Sequence, residues 1–279
     1  MTNTGKYLHP FTDWGFKRLF GSELGKELLI DFLNQLLPQQ HQIQDLTFAR
    51  NEQVGRNEYD RRAIFDLFCV SPSGERFIVE MQKAKQTYFK DRSVFYATFP
   101  ISEQAPQGEW NYQLEPVYLV GILDFVFAED KDDTQVIHHV QLKDQINRVF
   151  YDKLTFIYLE MPKFTKTEDE LKTLPDKWLY VLKHLPELTD RPAKLQERVF
   201  SRLFEIAEVS NLNRTERALY EESLKVYRDL TNVVDTAKTE GRTEKTLEVV
   251  HEGFRENLPT PVIARLTGLS EAEIEALRD

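Results

Sequence analysis

The chain has 279 residues, of which 41% are hydrophobic and 29% are charged, and its formal net charge is −10. This composition is typical of a folded globular protein with a sizeable core and excludes a disordered chain. The negative charge argues against a protein that coats nucleic acid over an extended surface, because phosphate binding requires local positive charge.

The sequence indicates neither a membrane segment nor a cysteine-based metal site. No apolar run approaches the roughly 18 residues that span a bilayer, and the N-terminal stretch lacks the apolar core of a signal peptide. We therefore expect a cytoplasmic protein that does not contact a membrane. The single cysteine, Cys69, cannot form an intrachain disulfide and has no clustered Cys or His partners, so we interpret it as a small core residue.

The first 50 residues predict two helices and a strand. Residues 11–20 carry apolar side chains at helical spacing, and Asp13 is placed to cap this helix. A second helix is predicted to begin at Ser22 and to end at Pro38, with a broad apolar face suited to burial. Residues 43–49 are a candidate first strand.

Residues 64–82 predict an antiparallel hairpin that carries polar residues among apolar ones. Its turn signal is Pro72-Ser73-Gly74, and the flanking runs read IFDLFCV and RFIVEMQ. A hairpin centred on Ser73 places Asp66 opposite Glu80, and Gln82 then points to the same face. The other face is expected to carry Phe65, Leu67, Val79 and Met81.

Two carboxylates that face each other in a half-buried sheet repel unless a cation or a shared proton relieves them. A divalent metal is the simplest relief, and a hard ion such as Mg²⁺ prefers carboxylate and carbonyl oxygens. The alternative from spacing alone is a solvated strand end, with Asp66 at the start of an edge strand. A slip of one residue in the register would move Asp66 to the opposite face.

The segment after Gln82 predicts a helix with basic residues, followed by two buried strands. Lys85, Lys90 and Arg92 accompany apolar residues at helical spacing, so this helix either holds a phosphate backbone or lies on the surface. Residues 116–127 and 154–159 are nearly continuous apolar runs, as expected of strands covered on both faces. Residues 135–150 are less regular, and we interpret His138 and His139 as structural or exposed.

The strand signals end near residue 165, which predicts three parts of the chain. These are a core over residues 1–165, a helical region over 166–240 and a short helical tail over 241–279. Gly241 is predicted to interrupt a charged helix, and a capping box begins a last helix at Ser270. Two short helices at this spacing resemble half of a helix-turn-helix, but the acidic last helix favours a packing or dimerisation element, so a homodimer is possible.

Several motifs in one order resemble the PD-(D/E)XK nuclease family transposases, also called recombination-promoting nucleases. The residues that carry the resemblance are FTDWGFKRLFG, LLIDFLNQLL, IFDLFCV, FIVEMQ, DRSVFYA, LTFIYLEMPKF and GLSEAEIEAL. The resemblance implies an α/β fold, namely a restriction-endonuclease-like mixed sheet flanked by helices, with a helical C-terminal part. It also implies that the acidic residues lie on a hairpin of that sheet.

The resemblance further assigns roles to individual residues. Asp66 and Glu80 match the two metal-binding acids, and Gln82 occupies a position that is lysine in many relatives. Glutamine can hydrogen-bond the attacking water but brings no cation to it, so basicity would come from elsewhere. Four basic residues at or near the matched motifs are candidate nucleic-acid contacts, namely Lys17, Lys83, Lys85 and Arg92. Asp13 and Tyr96 are candidate supporting residues.

The sequence therefore predicts an endonuclease that uses Mg²⁺ or Mn²⁺ to hydrolyse phosphodiester bonds in DNA, associated with recombination or mobile-element DNA. Its catalytic residues would be Asp66, Glu80 and Gln82, with Asp66 and Glu80 as metal ligands. Gln82 and the overall acidity motivate an alternative, a catalytically weak or inactive nuclease-derived module that binds DNA or protein. A third possibility is a scaffold that binds only protein.

Overall fold

The structure is a computed structural model that describes residues 5–38, 41–50, 52–53, 63–105, 108–130 and 132–278. The α-helices in these ranges are α1 Asp13–Phe20, α2 Lys26–Asn34, α3 Phe89–Ser102, α4 Leu174–His184, α5 Arg198–Ala207, α6 Arg214–Arg255, α7 Thr260–Thr267 and α8 Glu271–Glu275. The strands are β1 Thr47–Phe48, β2 Glu52–Gln53, β3 Ala63–Ile64, β4 Leu67–Val70, β5 Arg76–Gln82, β6 Val117–Leu123, β7 Ile137–Lys143 and β8 Val149–Glu160.

Six strands form one mixed sheet in the order β1-β4-β5-β6-β8-β7, and β2 pairs separately with β3. The central strands β5, β6 and β8 run parallel, whereas β1, β4 and β7 join antiparallel. Every residue of β6 is buried, as expected for a parallel strand that is covered on both faces. The predicted α/β class with a mixed sheet, flanking helices and a helical C-terminal part is confirmed.

Helices cover both faces of the sheet. On one face, Phe89 and Ala97 of α3 belong to the same buried cluster as Phe68 and Ile78 of the sheet. On the other face, Gly21 at the end of α1 lies against Leu67 of β4. The helices α1, α2, α4 and α5 share an aromatic core in which the Trp178 ring centroid lies 5.2–6.0 Å from those of Phe20, Phe32 and Phe200.

The chain forms two compact units, one up to Leu224 and one from Lys225. In the second unit, Val250 of α6, Ile263 of α7 and Ile274 of α8 form the buried core. The predicted divisions at residues 165 and 240 stay a prediction about sequence organisation. In the structure, α4 and α5 pack in the same core as the N-terminal helices.

Several predicted boundaries differ from the structure at the N-terminal helices. Thr12 caps α1, because its hydroxyl accepts the backbone N–H of Gly15, and Asp13 is the first helical residue. The second helix begins at Lys26, not at Ser22. The backbone of Gly25, the residue before the helix, lies so close to Leu19 that an added Cβ would be 2.0 Å from the Leu19 carbonyl oxygen. The chain turns at this glycine before the helix starts.

Three further differences lie in the strands and in α6. The first strand covers only Thr47–Phe48. Residues 135–150, whose sequence pattern predicts no regular element, contain β7, which pairs with β8 at the sheet edge. The charged helix α6 continues through Gly241 for 42 residues, because a single exposed glycine costs only about 1 kcal/mol in a long helix. Among the described residues, no helix combines the length and apolar character needed to cross a membrane.

Candidate functional site

The acidic site lies where β4 begins and β5 ends. Leu67 pairs with Val79 and Phe68 with Ile78, which confirms the predicted register and brings Asp66 opposite Glu80. Asp66 itself precedes the first residue of β4. The prediction that Phe65 shares a face with Leu67 is wrong: Phe65 packs with Phe68 beneath α3, because the chain bends at Asp66 and the strand alternation stops there.

Each acid of the pair is held by the backbone of the opposite strand. The Met81 N–H donates to Asp66 Oδ2 at 2.7 Å, and the Asp66 N–H donates to Glu80 Oε1 at 3.2 Å. The Gln82 carbonyl accepts from Asp124 on the β6 side. Since the peptide groups of successive strand residues point to opposite edges, the Met81 carbonyl points toward Asp66. The two carboxyl groups and this backbone carbonyl therefore lie on the same side of β5.

Burial and mutual repulsion make this pair costly to ionise. Glu80 is only 7% exposed. Its burial, followed by the charge of Asp66, raises the pKa of Glu80 to about 8. Burial also raises the pKa of Asp66 above its ordinary value, with a further contribution from Asp13, although the Met81 N–H opposes this. Such a pair favours an added positive charge.

The basic residues around the acids make different contacts. Arg92 of α3 places Nη2 4.0 Å from Glu80 Oε2, at the limit of an ion pair. Lys17 pairs with Asp13 at 2.8 Å on the exposed side of α1. Lys83 is half-buried, and its burial lowers its pKa while Asp13 and Asp66 raise it, so all three lie within electrostatic range.

Gln82 is tied to Arg92. Arg92 Nη2 donates to Gln82 Oε1 at 2.5 Å, and Arg92 Nη1 donates to Gln86 Oε1 at 2.6 Å. The amide nitrogen of Gln82 donates to the Ala84 carbonyl at 3.0 Å. The guanidinium also lies 5.6 Å from the Tyr96 ring centroid. The glutamine thus fixes the direction of an arginine next to the acids.

The structure brings most of the predicted site residues together. Those that converge are Asp66, Glu80, Gln82, Arg92 and Tyr96, with Asp13, Lys17 and Lys83 beside them. Lys85 is exposed, and the charges of Lys85 and Lys90 lower the pKa of Glu129. The roles assigned to these residues stay predictions.

A second buried acid was missed by sequence reasoning. Glu160 at the end of β8 is fully buried and accepts the Phe127 N–H at 2.5 Å. Its other oxygen lies 2.6 Å from Lys163 Nζ and 3.0 Å from His138 Nε2. The available signal was an acid that ends the apolar run LTFIYL, with a lysine three residues later. Its histidine partner comes from β7, a strand that the sequence did not predict.

The donor set at Asp66 and Glu80 fits a hard divalent cation that keeps several waters. Two carboxylates and the Met81 carbonyl are oxygen ligands of the kind that Mg²⁺ prefers. Within the described ranges, no group of three or more His, Cys, Asp and Glu side chains is arranged to hold a metal. The site therefore suits an ion with few protein ligands rather than a dedicated side-chain cage.

Comparison with known proteins agrees with the motifs. The family model described as PD-(D/E)XK nuclease family transposase matches residues 10–237. The match covers the acids, Gln82 and α3, whereas the GLSEAEIEAL segment lies beyond it. No curated protein and no solved structure matches the sequence. The mixed six-stranded sheet with flanking helices agrees with the restriction-endonuclease-like fold that this family implies.

Proposed function

We propose that this chain, which belongs to the PD-(D/E)XK nuclease family transposases, is a metal-dependent endonuclease that hydrolyses phosphodiester bonds in recombination or mobile-element DNA. The observation that carries the proposal is the buried pair of Asp66 and Glu80, in which the pKa of Glu80 is raised to about 8. Two buried carboxyl groups that face each other, one of them with a strongly raised pKa, are an arrangement that a divalent cation stabilises and that is typical of functional sites.

Asp66, Glu80 and the Met81 carbonyl would hold Mg²⁺ or Mn²⁺. When bound, the ion supplies Lewis-acid activation of the attacking water and of the phosphate. The hairpin orients both ligands, because the Met81 N–H donates to Asp66 and the Asp66 N–H donates to Glu80. Ligands fixed in this way need little reorganisation when substrate binds.

Arg92 and Gln82 would position the phosphate and the water. Arg92 is oriented by two glutamine oxygens and can donate its other N–H groups to a non-bridging phosphate oxygen. An amide nitrogen carries two N–H donors, so Gln82 can hold the Ala84 carbonyl and still donate to a water. Lys17, Lys83 and Lys85 would contribute positive charge along the DNA backbone.

The test is nicking of supercoiled plasmid with and without Mg²⁺. The wild type should nick only with the metal, and the double variant Asp66→Ala, Glu80→Ala should be inactive. A matched control is Asp235→Ala, Glu248→Ala, which removes two exposed acids from α6 and should leave nicking unchanged. Full cleavage by the Asp66, Glu80 double variant, with circular dichroism showing that it is folded, would refute the proposal.

A second candidate is a DNA-binding or protein-binding module with weak or no catalysis. Gln82 favours it, because the residue that is lysine in many relatives here holds Arg92 instead of placing its own cation beside the acids. Calorimetry discriminates the two. Mg²⁺ or Mn²⁺ binding that is lost in Asp66→Asn supports the enzyme, whereas salt-sensitive DNA binding without any metal binding supports the module.

A further inference from the structure

A groove lies between α3 and the edge strand β7, on the face of the sheet that carries Glu80. Its volume is about 410 Å³, within the rough range of 300–1,000 Å³ found for small-molecule sites. Phe127, Phe156 and Tyr158 line its floor. Its lips are aliphatic and open to solvent, since Val94 of α3 is 55% exposed and Val140 of β7 is 46% exposed.

The sheet register places this groove next to the acids. Glu80 pairs with Gly121 of β6, and Gly121 pairs with Tyr158 of β8, so these three residues share one row and one face. Two strand spacings separate Glu80 from Tyr158, which is about 10 Å. The Tyr158 ring leans over Gly121, where an added Cβ would lie 2.9 Å from ring atom Cδ1. Nothing larger than glycine fits between acid and tyrosine.

Positive charge from α3 flanks both places. Arg92 lies beside Glu80. Lys90, two residues earlier, lines the groove, lies 4.3 Å from the Phe127 ring centroid and pairs with Glu129. One helix therefore presents a cation at the acids and another at the groove, which suits consecutive phosphates of one strand.

We propose that this groove binds an unpaired nucleobase of the DNA strand whose phosphate is cleaved at Asp66 and Glu80. The base contacts the aromatic floor, and Lys90 contacts the phosphate beside it. Aromatic floors suit any base, because every base has a π-face. The inference rests on the proposed nuclease function, and it makes DNA with unpaired bases near the cleaved bond the preferred substrate class.

The test measures the affinity of the protein for a labelled single-stranded oligothymidylate of about 12 nucleotides. Fluorescence anisotropy monitors the binding, and EDTA is present so that no metal contributes. An oligomer of the same length without bases measures the phosphate contribution alone. For the wild type, the ratio of the two Kd values should be roughly 5- to 100-fold in favour of the base-bearing strand, as stacking of one base predicts.

Two valines of the β7–β8 hairpin give a matched pair of variants. Val140 lines the groove and Val149 does not, and both are 46% exposed. In Val140→Glu the ratio should fall to about 1, because a base can no longer enter without desolvating a carboxylate. In Val149→Glu, which adds the same charge, the ratio should stay at the wild-type value.

The possible results separate this inference from the proposed function. If the wild type nicks plasmid but Val140→Glu keeps the full ratio, the groove is not the base site and the nuclease stands. If the Kd ratio falls to about 1 only in Val140→Glu and the wild type does not nick plasmid, the base-binding groove is supported and the nuclease proposal is refuted. If the wild type shows no ratio above 1, the groove proposal is overturned.

A photocrosslink on the unaltered protein makes the test independent of variants. Oligothymidylate that carries 5-iodouracil should crosslink to Phe127, Phe156 or Tyr158, mapped by mass spectrometry. Crosslinks that map only to residues outside the groove would overturn the proposal.

Discussion

Two buried acids lie at the same end of the sheet and differ in what surrounds them. Gln82, Leu123 and Glu160 form one row across β5, β6 and β8, so Glu160 ends its strand level with the residue two positions after Glu80. Glu160 is surrounded by Lys163, His138 and a backbone N–H at 2.5–3.0 Å. Glu80 instead faces a second acid, and the Arg92 guanidinium is 4.0 Å away.

Burial alone therefore does not identify a site in this molecule. A buried carboxylate is stable when its neighbours supply positive charge and hydrogen bonds, which describes Glu160. A buried carboxyl group beside another acid has a raised pKa, which describes Glu80, and such an arrangement is common at functional sites. The comparison predicts that equivalent substitutions at the two acids have opposite consequences for activity and stability.

The largest expected effect is on activity at the pair formed by Asp66 and Glu80. Asp66→Asn should reduce plasmid nicking by roughly 100-fold or more, since a metal ligand contributes several kcal/mol. The fold should persist, because the amide oxygen can still accept the Met81 N–H. The paired variant Glu160→Gln should keep its nicking rate per folded molecule. Equal losses in the two variants, corrected for folded fraction, would remove the distinction between the acids.

The next effect concerns stability at the second acid. Glu160→Gln leaves Lys163 buried without its carboxylate, and breaking a buried pair from one side costs about 3 kcal/mol or more. Urea unfolding followed by tryptophan fluorescence should show this loss. The double variant Glu160→Gln, Lys163→Met should recover at least part of it, because no buried charge then remains unpaired. A double variant less stable than the single one would contradict the pairing.

Stability should also depend on pH through Glu80, with a change per pH unit that is smaller than the loss expected in Glu160→Gln. The pKa of Glu80 is raised from 4.5 to about 8. Between these values the folded state binds more protons than the unfolded state, so its stability falls as the pH rises. In EDTA, the free energy of unfolding of Glu80→Gln should therefore rise relative to that of the wild type by about 1 kcal/mol per pH unit as the pH increases across this window. Thermal unfolding measures it, with Glu248→Gln on α6 as a control. Parallel curves for wild type and Glu80→Gln would contradict the shift.

The sequence was sufficient to predict the acidic site because its geometry is local. A hairpin with one turn fixes its own register, so Asp66 and Glu80 could be placed opposite each other from spacing. The partners of both acids could not be found in this way. Arg92 approaches Glu80 from a helix, and His138 approaches Glu160 from a neighbouring strand, and such contacts depend on how elements pack.

The boundaries that failed have the same cause. Thr12 and Asp13 are both good capping residues, and only the path of the chain before α1 decides between them. Gly241 would end an isolated helix more readily than it does α6, where the helical residues on both sides outweigh one glycine. Local preference is a weak guide where long-range packing or helix length decides.

The smallest expected effect separates two roles of Gln82. Because Gln82 Oε1 accepts from Arg92 Nη2, Gln82→Ala should loosen the arginine and raise KM for an oligonucleotide about fivefold, as loss of one hydrogen bond of about 1 kcal/mol predicts. In the Arg92→Ala background, the same substitution should leave KM unchanged, because the two residues act as one unit. If Gln82→Ala lowers kcat in the Arg92→Ala background as well, the size of that decrease measures how much Gln82 contributes to orienting the attacking water. An equal rise in KM in both backgrounds would show that Gln82 contacts the DNA directly and does not act through Arg92.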